Sequence, residues 1–193
     1  MNAQWLIAAA AAAGLAAVTV PVIDGIRTAA NANADAVEAE AAAPATTVCD
    51  AKRKTANLNF KVKDMDGREV NLADYKGKVI LLDFWATWCG PCKVEVPWFV
   101  EFQSKYRDRG FVVLGVSVDD PVDKLKAFAA TYKMNYPVLV GDGREDLIDR
   151  AYGPMWGLPT TFLIGRDGNI CRKHMGMAAK EQFEKEIVAL LST

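Results

Sequence analysis

Histidine is almost missing from this chain of 193 residues, where His174 is the only one. With so few imidazoles, a complete zinc site would require Cys49 and Cys171 to converge on Cys89 and Cys92, and nothing in their spacing brings them there. A basic excess is missing too. Lys and Arg number 23 against 24 Asp and Glu, a formal net charge of −1, which speaks against nucleic acid or a polyanionic surface as partner. Aromatic residues are absent from residues 24–47, and charge is absent from Trp5 to Ile23. No internal repeat is visible. What the chain does have is four cysteines, an even number, falling as one close pair (Cys89, Cys92) and two distant singles (Cys49, Cys171).

The uncharged run WLIAAAAAAGLAAVTVPVI (5–23) would reach about 28 Å as a helix, roughly one hydrocarbon core. Its alanines make it only weakly hydrophobic, and ANANADA (30–36) offers small-x-small cleavage sites, so anchor and cleaved signal both stay open. The expected organisation is a membrane anchor or signal segment over 1–25, a flexible Ala-rich linker over 26–48 and a folded domain over 49–193. No Lys or Arg precedes the run, while Arg27 and Lys52-Arg53-Lys54 follow it. The positive-inside rule alone therefore favours the orientation opposite to export, and the cysteine usage favours export.

From residue 49 onward, short strand patterns alternate with helical ones, as in α/β layer folds. NLNFKVKDMDGREVNL (57–72) alternates around Asp66-Gly67, a hairpin signal. KVILLDFWA (78–86) is a continuous apolar run, expected of a central strand covered on both faces. Pro91 suits the first position of a helix whose stripe is Trp98, Phe102 and Tyr106. GFVVLGVSV (110–118) is a second buried strand, and Val122, Leu125, Ala129 and Tyr132 give a helix behind Pro121. YPVLVG (136–141) reads as a third strand, followed by a short helix through Leu147 and Ile148. PTTFLIGRDGNICRKHM (159–175) reads as two strands joined at Asp167-Gly168, with His174 on the surface. Phe183, Ile187, Leu190 and Leu191 close the chain with an amphipathic helix.

Two thiols in Cys89-Gly90-Pro91-Cys92 at a helix start can close a disulfide across one turn. The partial positive charge of the helix N-terminus favours a thiolate at Cys89. Cys89 is then the attacking thiol and Cys92, one turn further in, the resolving one. Resolution needs Cys92 deprotonated, and two carboxylates are candidates. Asp83 sits inside an apolar strand, where its pKa should rise, and Glu95 follows Cys92 by three residues on the same helical face.

LLDFWATWCGPCK resembles the active-site strand and turn of thioredoxins, with an aspartate six residues before the first cysteine and Pro97 at the family's helix proline. WGLPTTFLIGRDGNI resembles the loop that carries the family's cis-proline, which the resemblance assigns to Pro159, with Leu158 facing the substrate strand. FKVKDMDGREVNLADYKGKVILLDFWATWC, the CxxCKxExP run with Glu95, and the extra helix are similar to the TlpA-like, ResA-like group of membrane-anchored thiol–disulfide oxidoreductases. The likeness covers about residues 55–193. Many members carry asparagine where this chain has Asp83, so both acids remain candidates for Cys92.

The resemblance implies an α/β thioredoxin fold, a central mixed β-sheet flanked by helices, with an N-terminal β-hairpin extension and an extra helix insertion. It implies a disulfide reductase, Gly90-Pro91 matching reducing thioredoxins, with Trp88, Gly90, Pro91, Leu158 and Pro159 meeting the substrate. No cofactor, metal or nucleic acid is expected. Expected partners are protein thiols or disulfides, apocytochrome c or copper-site proteins among them, and a transmembrane thiol electron donor. The domain would stand in the periplasm or outside the cell, tethered to a bacterial inner membrane or released after cleavage. There Cys49 and Cys171 are expected to form a structural disulfide. Two other activities remain to be weighed. One is a holding module for exported thiol proteins. The other is a peroxiredoxin-like enzyme, whose Pro-x-x-x-Thr-x-x-Cys pattern would need Pro at 82 and Thr at 86, where this chain has Leu82 and Ala86.

Overall fold

The computed structural model describes Cys49 and residues 54–193. The expected anchor and linker lie outside the described residues; among those residues no helix is long and apolar enough to cross a membrane. The chain runs through β1 (Lys54–Thr55), β2 (Lys61–Lys63), β3 (Glu69–Asn71) and β4 (Val79–Trp85), then α1 (Gly90–Tyr106) and β5 (Phe111–Ser117). It continues with α2 (Val122–Tyr132), β6 (Val138–Val140), a π-helical turn (Asp146–Ala151), β7 (Thr160–Ile164), β8 (Asn169–Met175) and α3 (Lys180–Leu191).

Six strands form one mixed sheet in the order β1-β8-β7-β4-β5-β6. β4 is central, parallel to β5 on one side and antiparallel to β7 on the other. Every β4 residue is buried, as its unbroken apolar run requires of a strand covered on both faces. Val79 and Leu81 pack with Phe99 and Phe102 of α1 and with Phe183 and Ile187 of α3. Ile80, Leu82 and Phe84 point the other way, to Leu58, Val62, Leu72, Leu147 and Tyr152. β2 and β3 pair as the expected hairpin, and Gly67 at φ 80° takes the left-handed turn position that glycine tolerates best. The hairpin docks on β6 through the amide of Met65, which donates to the carbonyl of Val138 at 2.9 Å, so the sheet's far edge is covered.

Three local expectations shift. α1 begins at Gly90, so Pro91 is the second helical residue. Its buried face runs through Cys92, Glu95, Val96, Phe99, Phe102, Gln103 and Tyr106, and Trp98 is only partly buried; the 3.6-residue period centres the stripe on Phe99. In α2, Phe128 takes the core position with Leu125 and Ala129, and Val122 at the first turn is exposed.

Candidate functional site

One apolar cluster gathers at the C-terminal end of β4. Trp85 closes the strand and packs with Cys89, Cys92 and Val96 of α1 and with Leu125 and Phe128 of α2. Cys89 is the N-cap of α1: its sulfur accepts the amide of Cys92 at 3.2 Å, at the helix end that favours negative charge. Cys89 and Cys92 are disulfide-bonded, and both are buried. Trp88, Gly90 and Pro91 lie exposed around them. Leu158 packs against the same cluster, and the Leu158–Pro159 peptide bond is cis. The amide of Gly176 donates to the Pro159 carbonyl at 2.8 Å and joins this loop to the end of β8. The structure thus brings Cys89, Cys92 and the Leu158-Pro159 loop together from opposite ends of the domain.

Two buried acids, Asp83 of β4 and Glu95 of α1, lie on the two elements that flank the pair. Asp83 is only 2% exposed and takes one hydrogen bond, from the Thr161 hydroxyl at 3.0 Å. Burial pushes its carboxyl well above the usual range, and the Glu95 charge pushes it further; the bond from Thr161 offsets part of this. Glu95 is 1% exposed, and its Oε1 accepts the amide of Ala178 at 3.0 Å. Its Oε2 is buried without a hydrogen-bond partner. Burial raises Glu95 to about 7, against the pull of the Ala178 amide and of His174. Glu95 is therefore placed to hold or release a proton near neutrality, and Asp83 is pushed in the same direction. Gly115 pairs with Asp83 on β5, and a Cβ there would come within 3.0 Å of Trp85 Nε1 and 3.1 Å of Tyr136 Cε2. The glycine in the apolar run VVLGVSV keeps this layer open.

Residues that sequence reasoning passed over hold the cysteine loop. Asp120, 2% exposed, accepts the Thr87 amide at 2.7 Å, the Thr87 hydroxyl, and the Ser117 hydroxyl at 2.7 Å. The neighbouring Asp119 accepts Trp88 Nε1 at 2.9 Å. An Asp-Asp-Pro run between a strand and a helix is the signal that could have pointed to them. His174 corrects its expected place: its side chain is 11% exposed and 2.7 Å from Glu186 of α3. Away from the redox pair, Cys49 and Cys171 are joined by a disulfide across 122 residues, with Cys171 buried in the layer under α3.

The peroxidase pattern has no place here. Leu82 is fully buried between paired strands, a position where proline would remove a ladder hydrogen bond.

The AhpC/TSA family matches residues 54–173. A thiol-disulfide oxidoreductase ResA from Bacillus cereus is 37% identical over 126 residues, 65% of this chain and 71% of that protein. A thiol:disulfide interchange protein of the thioredoxin family from Chlorobium tepidum TLS superposes with a TM-score of 0.67 at 32% identity, covering 74% of this chain and 99% of that one. A putative thiol:disulfide interchange protein DsbE from the same species gives 0.63 at 35% identity, covering 72% and 98%. Relatives that catalyse exchange also leave no ground for reading the domain as a mere holding module. With a Cys-x-x-Cys pair of its own at the head of α1, the chain belongs to the AhpC/TSA family and is a thioredoxin-fold thiol–disulfide oxidoreductase.

Proposed function

We propose that the protein is a disulfide reductase working outside the cytoplasm, and that Glu95 is the base for Cys92. In the reduced state the Cys89 thiolate attacks a substrate disulfide. A Cys89–substrate bond forms, and the other substrate sulfur leaves with the bonding pair. The Cys92 thiol then gives its proton to the Glu95 carboxylate, and its sulfur attacks Cys89. The Cys89–substrate bond breaks, the second substrate sulfur leaves as thiolate, and the Cys89–Cys92 disulfide remains. The substrate has gained two electrons and the pair has lost two, which a dithiol donor in the membrane replaces as it is itself oxidised to a disulfide.

The observation that carries this reading is the buried, half-unpartnered Glu95 carboxyl, raised to about 7, three residues from Cys92 on one helical face. Asp83, also raised by burial and bonded to the Thr161 hydroxyl, is assigned a supporting place on β4 beside the pair. Trp88, Gly90, Pro91 and Leu158-Pro159 form the substrate-facing rim. Gly90-Pro91 between the cysteines supports the reducing direction. The Cys49–Cys171 disulfide supports an oxidising compartment, and the uncharged 5–23 run supports an anchor or signal over 1–25, with 26–48 as tether to the domain at 49–193. Apocytochrome c and copper-site proteins are the substrate classes assigned, with a transmembrane thiol protein as donor.

Cys92→Ser in the native host tests the scheme. Covalent adducts through Cys89 should accumulate, dissolve on adding thiol, and vanish when Cys89 is also replaced. A Cys92→Ser protein that carries no more adduct than wild type would refute the assignment of Cys92 as resolving thiol. A fusion reporter placing the domain in the cytoplasm would refute the location.

A further inference from the structure

On the face of the sheet turned away from α1 and α3, a cavity of about 470 Å³ opens between β1, β8 and the π-helical turn. That size is within the range of small-ligand sites. Strand register sets its walls, because directly opposed residues share a face. Lys54 of β1 is opposite Ile170 of β8, Ile170 is opposite Ile164 of β7, and Lys173 is opposite Phe162. Ile164, Ile170, Phe162 and Tyr152 belong to one apolar cluster, so Lys54 and Lys173 stand on its side of the sheet. The Lys173 ammonium lies 5.2 Å from the Phe162 ring centroid. Tyr152 packs on Phe162 and donates its hydroxyl to the Asn57 carbonyl at 2.8 Å, which holds the turn against this face, and Arg150 lines the cavity from the turn. No Asp or Glu lines it. The fourth cation on the lining, Arg172, is engaged by Glu186 of α3 at 3.7 Å. Lys54, Arg150 and Lys173 form no salt bridge among the described residues.

We propose that this cavity is a binding site for a phosphate-bearing ligand, held by Lys54, Arg150 and Lys173. The three cations reach it from three elements, β1, the turn and β8. A phosphate group offers three acceptor oxygens in different directions, whereas a carboxylate offers two in one plane. Arg150 can supply paired N–H donors, and the lysines supply point charges. Like charges around an apolar floor repel one another, and an anion between them removes that repulsion in a recess less screened than the open surface. The lining shares no residue with the redox rim, so the site is separate from thiol exchange. The chain enters the described domain at this corner, where Cys49 is joined to Cys171 on the lining and Lys54 follows. A soluble phosphate ester and the headgroup of an anionic lipid carry the same chemistry; the second source rests on the proposed reading of 5–23 as an anchor.

The test is an NMR titration of the full chain, oxidised and in neutral detergent, with glycerol 3-phosphate at low ionic strength. The backbone amides of Lys54, Arg150 and Lys173 should move together and saturate. Lys54→Glu and Lys173→Glu should each weaken binding by about tenfold or more, and Lys185→Glu, on the exposed side of α3, should leave it unchanged. Because Phe162 lies beneath Lys173, Arg150→Glu replaces Lys173→Glu if that variant does not fold. Wild-type rates of peptide disulfide reduction check that each variant is folded. A second arm uses nanodiscs of phosphatidylglycerol. Shifts at the three amides with glycerol phosphate assign a soluble ester as source, and shifts with the nanodiscs alone assign a lipid headgroup; either result supports the site. No shift of these amides with either probe, or equal binding by wild type and the charge-reversed variants, would overturn it. An Asp/Glu-rich peptide that moves these amides where neither phosphate probe does would also overturn it, in favour of an acidic protein segment.

Discussion

Glu95→Gln should make the oxidised protein less sensitive to pH. The carboxyl sits at about 7 in the folded domain and near its ordinary 4.5 in the unfolded chain. Between those values the folded state binds more protons than the unfolded state, so unfolding free energy falls as pH rises. At about 1.4 kcal/mol per pH unit, the full difference is about 3 kcal/mol. That stability is present below pH 4.5 and lost by the time pH has passed about 7. Asp83 is raised for the same reason and adds a loss of the same sign.

Glutamine carries no charge at any pH, and its carbonyl oxygen can still accept the Ala178 amide at the Oε1 position. Its NH2 replaces an oxygen that already lacks a partner, so the exchange adds little hydrogen-bonding cost. Urea unfolding of both proteins, with both disulfides intact, at pH 5 and pH 8.5 is the assay. Wild type should lose about 2–3 kcal/mol more than Glu95→Gln between the two conditions. Exposed pairs such as Lys105–Glu184 titrate alike in both proteins and cancel in the difference. Equal pH dependence, or a wild type that gains stability through this window, would refute the claim that Glu95 is buried and raised.

Asp120→Asn puts an amide group among three donors, the Thr87 amide and hydroxyl and the Ser117 hydroxyl; it should cost about 2–3 kcal/mol and slow Cys89 attack, read by unfolding and by alkylation of the reduced pair. Cys171→Ser opens a loop spanning 122 residues and should lower stability by about 2–5 kcal/mol while leaving the Cys89–Cys92 pair able to cycle, measured by unfolding and by a thiol assay.

What was legible in the chain was what depends on local period. A strand buried on both faces shows as an unbroken apolar run, so β4 and its misfit Asp83 stood out, and Glu95 followed from one helical turn beyond Cys92. Asp120 was opaque because its partner Thr87 lies 33 positions away, and the amide on Glu95 comes from 83 positions away. Hydrogen bonds of that reach leave no period to read.

His174 was opaque for a sharper reason. Strict alternation from buried Cys171 would set Lys173 and Met175 inward and turn His174 out to solvent. The ladder instead pairs Ile164 with Ile170 and Leu163 with Arg172, which leaves Cys171 as an extra residue in β8. A bulge re-phases everything beyond it. Lys173 therefore crosses to the far face, over the Phe162 ring at 5.2 Å, and His174 comes in under α3 beside Glu186. One unpaired residue thus does two things at once: it carries the sulfur that meets Cys49, and it turns the chain's single histidine in beside Glu186 and Phe183 of α3.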